Sequence, residues 1–208
     1  MPAAQGQVGE VRVADGATSA GGFRAGRTGE IIASELHGRY FEQCSRGNVF
    51  TATNQAVATT TVGLNTTYTG LVVSNPVGSG KLMSILMASL MQSVIQATQI
   101  EAYALATGFN AATNVTHTTP VTPQCNLIGS SNAPVGKADV SATLPTAPVY
   151  ERPLGETGTA TSQPGTIIVD LGGSIVLLPG AYALFVTPTQ ASVNGCWFGF
   201  LWEEVPFG

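Results

Sequence analysis

Between Gly47 and Gly136 the chain carries only two charged side chains, Lys81 and Glu101, in a field of Thr, Ser, Asn, Gly and short apolar runs. A stretch that long with almost no general acid, general base or cation supplies little chemistry of its own. It predicts β-rich structure whose Thr and Asn residues face water or other protein. Charged residues make up 10% of the chain and hydrophobic residues 44%. An ordinary soluble domain carries roughly 25% charge at similar hydrophobicity, so the deficit lies on the surface rather than in the core. A charge-poor surface of Thr, Ser, Gly and Ala is one that other subunits often cover, which points to an assembly. Secreted β-proteins share that composition and are the plainer alternative.

The 208 residues suffice for one large β-domain with an appended arm. Eight Lys and Arg stand against twelve Asp and Glu, a formal net charge of -4. No basic run is present to neutralise phosphates, which argues against nucleic-acid binding. Cys44, Cys125 and Cys196 are widely spaced, form no CxxC pair and have no histidine at metal-ligand spacing. They read as buried thiols, with one disulfide left open. Met1 to Gly22 has neither a basic start nor a continuous apolar core, so the expectation is synthesis and assembly in a cytoplasm.

Residues 1–46 differ from the rest. They hold seven Gly before Glu30 and five of the eight basic residues, balanced by five acidic ones. Gln5 to Gly26 has too few large apolar groups to offset the entropy of ordering. It is expected to be an extended arm, ordered on meeting a partner and anchored by the apolar segment Glu30–Phe41. Residues 47–208 then form the main domain.

From Asn48 on, short apolar runs alternate with Gly, Pro and Asn turn signals, the pattern of a sandwich or barrel rather than of βαβ units. Strands are expected near 48–54, 58–64, 69–74, 82–92, 99–107, 136–142, 147–152, 166–171, 174–178, 181–187 and 196–205. Leu82–Ala106, without Gly or Pro, could by propensity form one long helix. Two strands joined around Gln96–Gln99 suit the pattern better, the first buried on both faces. Gln92, Gln96, Gln99 and Glu101 speak against a membrane span. Asn110–Ala133, rich in Thr, Pro and Asn, reads as a long excursion whose prolines forbid a regular ladder. Pro179-Gly180 suits the middle of a type II turn. The last strand should set Phe198, Phe200 and Trp202 on one face, a core strand that closes the sandwich.

The motifs that carry chemistry fail on detail. Asn75–Lys81 ends in Gly-Lys, but a phosphate-binding loop needs Gly where Asn75 stands and Ser or Thr where Leu82 stands. His37 and His117 lie in no recognisable nucleophile pattern. Glu203-Glu204 point to opposite faces of a strand and cannot act as a dyad. Asp139, Glu151, Glu156 and Asp170 do not follow the spacing of a calcium loop. No catalytic residue, cofactor or metal site is expected.

One set of segments carries a resemblance: Glu35-Leu36-His37-Gly38-Arg39-Tyr40 with Glu42-Gln43, Thr59–Leu64, Leu71–Pro76 and Thr113–Pro120. To it belong Ala142–Pro145, Pro179–Tyr182 and Trp202–Val205. From Glu30 on, the chain resembles the small virion proteins of tailed bacteriophages that form jelly-roll trimers and serve as capsid decoration, or cement, proteins. The resemblance implies a binding protein on a virus shell with no catalytic residues to carry over.

Together these readings predict an all-β chain, a jelly-roll-type β-sandwich with an extended N-terminal arm. The expected role is structural: a homotrimer on the outer surface of the virion, assembled in the host cytoplasm. Its partner is the major capsid protein, with no membrane involved. Candidate capsid-binding residues are Arg24, Arg27, Glu30, Glu35, Arg39 and Arg46, because the arm offers charge where the body has little. The alternative is a trimeric receptor-binding or tail-fibre tip protein, which needs exposed aromatic rings near turns; Tyr68 and Tyr150 are the candidates.

Overall fold

In a computed structural model the described residues are 38–93, 101–157, 165–188 and 195–207. They contain one short helix, α1 (Phe41–Ser45), and twelve strands. The strands are β1 (Val49–Thr53), β2 (Thr67–Ser74), β3 (Lys81–Gln92), β4 (Glu101–Phe109), β5 (Thr116–His117) and β6 (Pro120–Val121). They continue with β7 (Gln124–Cys125), β8 (Lys137–Thr143), β9 (Val149–Thr157), β10 (Thr166–Leu177), β11 (Ala181–Val186) and β12 (Cys196–Pro206). Two sheets result, one of five strands in the order β10-β3-β12-β1-β7, the other of seven in the order β5-β8-β2-β11-β4-β9 with β6 also on β8. The chain from Glu42 on is one compact unit.

Setting β5–β8 aside leaves eight strands, and their pairing is nested. The first pairs with the last (β1 with β12), the second with the seventh (β2 with β11), the third with the sixth (β3 with β10) and the fourth with the fifth (β4 with β9). A long antiparallel hairpin rolled up on itself has this order, so the sandwich that the turn signals indicated is a jelly roll, the form the resemblance implied. The excursion lies inside the β4–β9 connection. It crosses to the far side of the molecule, where β8 extends the seven-stranded sheet beyond β2 and β7 extends the five-stranded sheet beyond β1. The prolines limit β5, β6 and β7 to two residues each, yet all three pair.

Between the sheets the inward row of β12 meets that of β11. Phe185 packs on Phe200 at 4.6 Å and on Phe198 at 4.9 Å between ring centroids, and Trp202 lies 6.3 Å from Phe50. β12 is a central strand between β3 and β1, so it closes the sandwich from within rather than at an edge. Every residue of β11 is buried, because the seven-stranded sheet has a second apolar layer on its outer side. Ala181, Ala183 and Phe185 face the inter-sheet core. Tyr182, Leu184 and Val186 face outward against Val115 and Leu64, which the excursion and the segment before β2 lay over them.

Leu82–Gln92 is one strand with β12 on one side and β10 on the other, not the start of a helix. The joint expected around 96–99 lies outside the described residues. Nor is β3 buried on both faces: Met83, Ile85, Ala88, Leu90 and Gln92 are buried while Ser84, Met87, Ser89 and Met91 are partly open. An extra residue at Leu86, where the register with β12 jumps from Met87 to Ile85, shifts the alternation by one. Residues 58–64 form no strand, only single bridges at Ala58 and Val62. Their backbone instead lies across neighbouring segments, with the Thr60 hydroxyl on that of Thr187 at 3.2 Å. The two strands expected at 166–171 and 174–178 are one, β10, interrupted by a bulge. Pro179-Gly180 is the turn the sequence indicates, with Gly180 at φ 94°.

Candidate functional site

The candidate binding charges come first. Arg24, Arg27, Glu30 and Glu35 lie outside the described residues, as does His37. Arg39 is exposed and its guanidinium sits 5.2 Å from the ring centroid of Tyr40, a cation–π contact. Arg46 follows α1, and its guanidinium approaches Glu42, one turn earlier, at 3.7 Å with both side chains well exposed. Such an exposed i,i+4 pair contributes roughly 0.3–0.5 kcal/mol, so Arg46 is little committed and remains able to meet another partner. Burial raises the Glu203 carboxyl above its ordinary value and nearby Arg46 partly restores it. The Cys44 thiol is also pushed up, first by burial and then by Cys125 and Glu203.

Three acidic groups lie deep in the body, each serving structure. Glu204 turns inward on β12 while Glu203 turns outward, the opposition expected of neighbours in a strand. The Glu204 carboxylate accepts the backbone N–H groups of Gly136 at 2.8 Å and Val135 at 3.0 Å, and the indole N–H of Trp202 at 3.2 Å. It thereby fastens the end of the excursion to the five-stranded sheet. Glu101, fully buried, accepts the Tyr103 hydroxyl and the Gln92 side-chain amide at 3.1 Å. The Tyr103 hydroxyl also lies 3.2 Å from Cys196 Sγ, so this polar knot joins β3, β4 and β12 inside the core. Asp139 of β8 pairs with His117 Nδ1 of β5 and pins the excursion to the sheet.

Of these groups Glu204 also borders a hollow of about 200 Å³ that Asn48, Lys81 and Asn132 help to line. None of the three cysteines is in a disulfide, and Cys125 and Cys196 are buried. Among the described residues no three His, Cys, Asp or Glu side chains are placed to hold a metal ion. No described helix is long and apolar enough to cross a membrane.

The feature that composition did not disclose is where exposed apolar side chains gather. The outer face of the seven-stranded sheet is covered by its own chain, whereas that of the five-stranded sheet presents Ile168, Val176, Met91 and Trp197. Beside it, a groove of about 470 Å³ runs between β9 and β10 at the sandwich edge, lined by Phe109, Val149, Val176 and Leu178. A signal for the first of these was present: Ile167, Ile168 and Val169 are consecutive in a strand, and a period of two must turn one of them out. Nothing comparable marks Phe109 or Val149, because sheet order alone decides that β9 is an edge.

The fold defines the class: an all-β protein, two antiparallel sheets packed as a jelly roll. No family model matches the chain, and no curated protein or solved structure is similar to it.

Proposed function

We propose that the protein is a structural virion protein that binds the outer surface of a phage capsid as a homotrimer and cements neighbouring major capsid subunits. The observation that carries this reading is the placement of exposed apolar residues. They collect on one sheet face and the adjoining edge of a charge-poor jelly roll, while its buried acids make internal hydrogen bonds. The resemblance of Arg39–Tyr40, Thr59–Leu64 and Trp202–Val205 to capsid decoration proteins supports it. The basic residues concentrated before Gly47 give such a protein charge with which to meet a shell. Contacts to several capsid subunits at once would hold it by avidity.

The rival reading, a receptor-binding or tail-fibre tip protein, needs aromatic rings open to sugars. Tyr68 is 1% exposed inside the outer apolar layer, which removes one of its two candidates, while Tyr150 stands open on β9. The deciding experiment is co-sedimentation of the purified protein with phage heads that lack it, and in parallel with host cells. Saturable binding to heads, lost on removing residues 1–29, is the expected result. Binding to cells and not to heads overturns the proposal in favour of the rival.

A further inference from the structure

Strand register places six exposed large apolar side chains at one end of the roll. Phe109 closes β4 opposite Ala181, Val149 opens β9 opposite Thr107, and Leu178 follows β10 in the turn to β11. Phe207 follows β12 and donates its N–H to the Gly80 carbonyl at 2.9 Å, just ahead of β3. Leu127 and Ile128 follow β7, where Asn126 donates its N–H to the Val49 carbonyl at the start of β1. Leu127, 41% exposed, is the least open of the six, and Ile128 is 84% exposed. Single exposed apolar residues are ordinary on a protein, but a gathered set marks a contact.

We propose that this end of the roll is the surface with which the protein docks. Its partner is a broad protein surface that offers apolar patches together with acidic side chains, which in the capsid reading above is the shell. The assignment rests on that reading and says which part of the molecule makes the contact.

Breadth argues against a short peptide as the occupant. β10 and β7 are the two edges of the five-stranded sheet, four strand spacings or about 19 Å apart, so Leu178 and Ile128 need a partner that reaches both sides at once. Charge argues against an anionic membrane. This end carries Lys81, Lys137 and Arg46 against Glu42 and Glu203, and β9 adds Glu151 beside Arg152. So near a balance attracts a negative lipid surface little, whereas a protein can match it group by group. Lys81 and Lys137 form no ion pair among the described residues, which leaves two cations for carboxylates of the partner. The chain also enters the sandwich here: α1 leads into β1 at Val49, and the 37 residues before Gly38 include Arg12, Arg24 and Arg27. Covalent continuity keeps a partner held by that basic segment within reach of the apolar end. Finally, the surface is formed before it binds. Asn75, 1% exposed, donates its side-chain amide to the carbonyls of Lys81 at 2.7 Å and Leu177 at 2.9 Å, and so ties the β2–β3 and β10–β11 connections together. A surface ordered in advance loses little entropy on docking.

The test is co-sedimentation of the full chain with phage heads that lack it. Ile128→Asp and Leu178→Asp, one at each edge of this end, are compared with Ile168→Asp on the outer face of the five-stranded sheet. All three side chains are exposed in the subunit, and near-UV circular dichroism verifies that each variant keeps its packing. Ile128→Asp and Leu178→Asp are each expected to weaken head binding by about tenfold or more, while Ile168→Asp binds as the wild type does. Head binding that either end variant leaves unchanged, or that Ile168→Asp weakens equally, overturns the assignment and leaves the virion reading standing. A wild-type protein that ignores heads overturns both. The same proteins are run with vesicles containing phosphatidylserine and, alone, in sedimentation velocity. Vesicle binding or self-association that the two end variants abolish gives this end to a membrane or to a second copy, and overturns the proposal.

Discussion

Asp139 shows how a polar side chain can hold the fold at a cost. Its side chain is 1% exposed, and while one carboxylate oxygen meets His117, the other has no hydrogen-bond partner. Burial raises its pKa above the ordinary aspartate value, and the bond and charge of His117 oppose the rise without cancelling it. The folded state therefore holds the proton more tightly than the unfolded chain. The resulting stability is fully present below the unfolded pKa and is lost as pH rises through the folded one. Relative to Asp139→Asn, the wild-type protein is expected to gain stability on acidification from about pH 6 to about pH 4. Urea midpoints of both proteins across that window check it; a gap that moves the other way refutes the assignment. No spacing rule joins His117 to Asp139, because their meeting depends on β5 returning to pair with β8. That is why the sequence could rule out local nucleophile patterns but could not see this pair.

Among the elements, β10 and β3 are the instructive ones. Gly172 and Gly173 read as a strand break, since a pair of glycines ends most ladders. In the sheet they form a bulge, with φ 55° and 80°, and β10 resumes its pairing with β3 on the far side. A Cβ on Gly173 would sit 2.7 Å from the Ser84 hydroxyl, on a backbone that L-residues disfavour. Gly173→Ala is therefore expected to cost about 1–3 kcal/mol, read from the urea midpoint at an unchanged slope. A neutral substitution would show that the bulge relaxes freely. For Leu82–Gln92, local propensity leaves helix and strand both open, and the neighbours on either side decide for strand. The alternation of Thr, Val and aromatic residues was enough to locate β1, β2, β8, β11 and β12 within a few residues. Residues 58–64 show the limit of that signal, for a Thr-rich run can cover a sheet as readily as join it.

For the whole molecule, nested pairing has a kinetic consequence. Val49 at the start of β1 lies opposite Glu203 near the end of β12, so the outermost pair of the roll closes only when nearly the whole chain has collapsed. Loop-closure entropy must be met before such contacts stabilise anything. Refolding from urea is expected to be slow, with a main phase on the order of a second or longer. Stopped-flow fluorescence of the buried Trp202 would report it, and a millisecond main phase would mean that a local hairpin, not the roll, limits folding. The same nesting puts β9 and β10 at neighbouring edges of the two sheets, which creates the groove and the apolar ridge from residues far apart in the chain.

The sequence by itself determined the class of fold, the core strand at the C-terminus, the turn at Pro179-Gly180 and the lack of a local catalytic motif. Each follows from short-range physics: period-two burial, turn stereochemistry and the fixed spacing that a motif needs. Only the tertiary structure decided which strands became edges, which sheet face was covered by its own chain, and which was left apolar and open. These depend on strand order and on the path of one long excursion, and side-chain pattern along a strand is the same whether its outer face meets water, its own loop or another subunit.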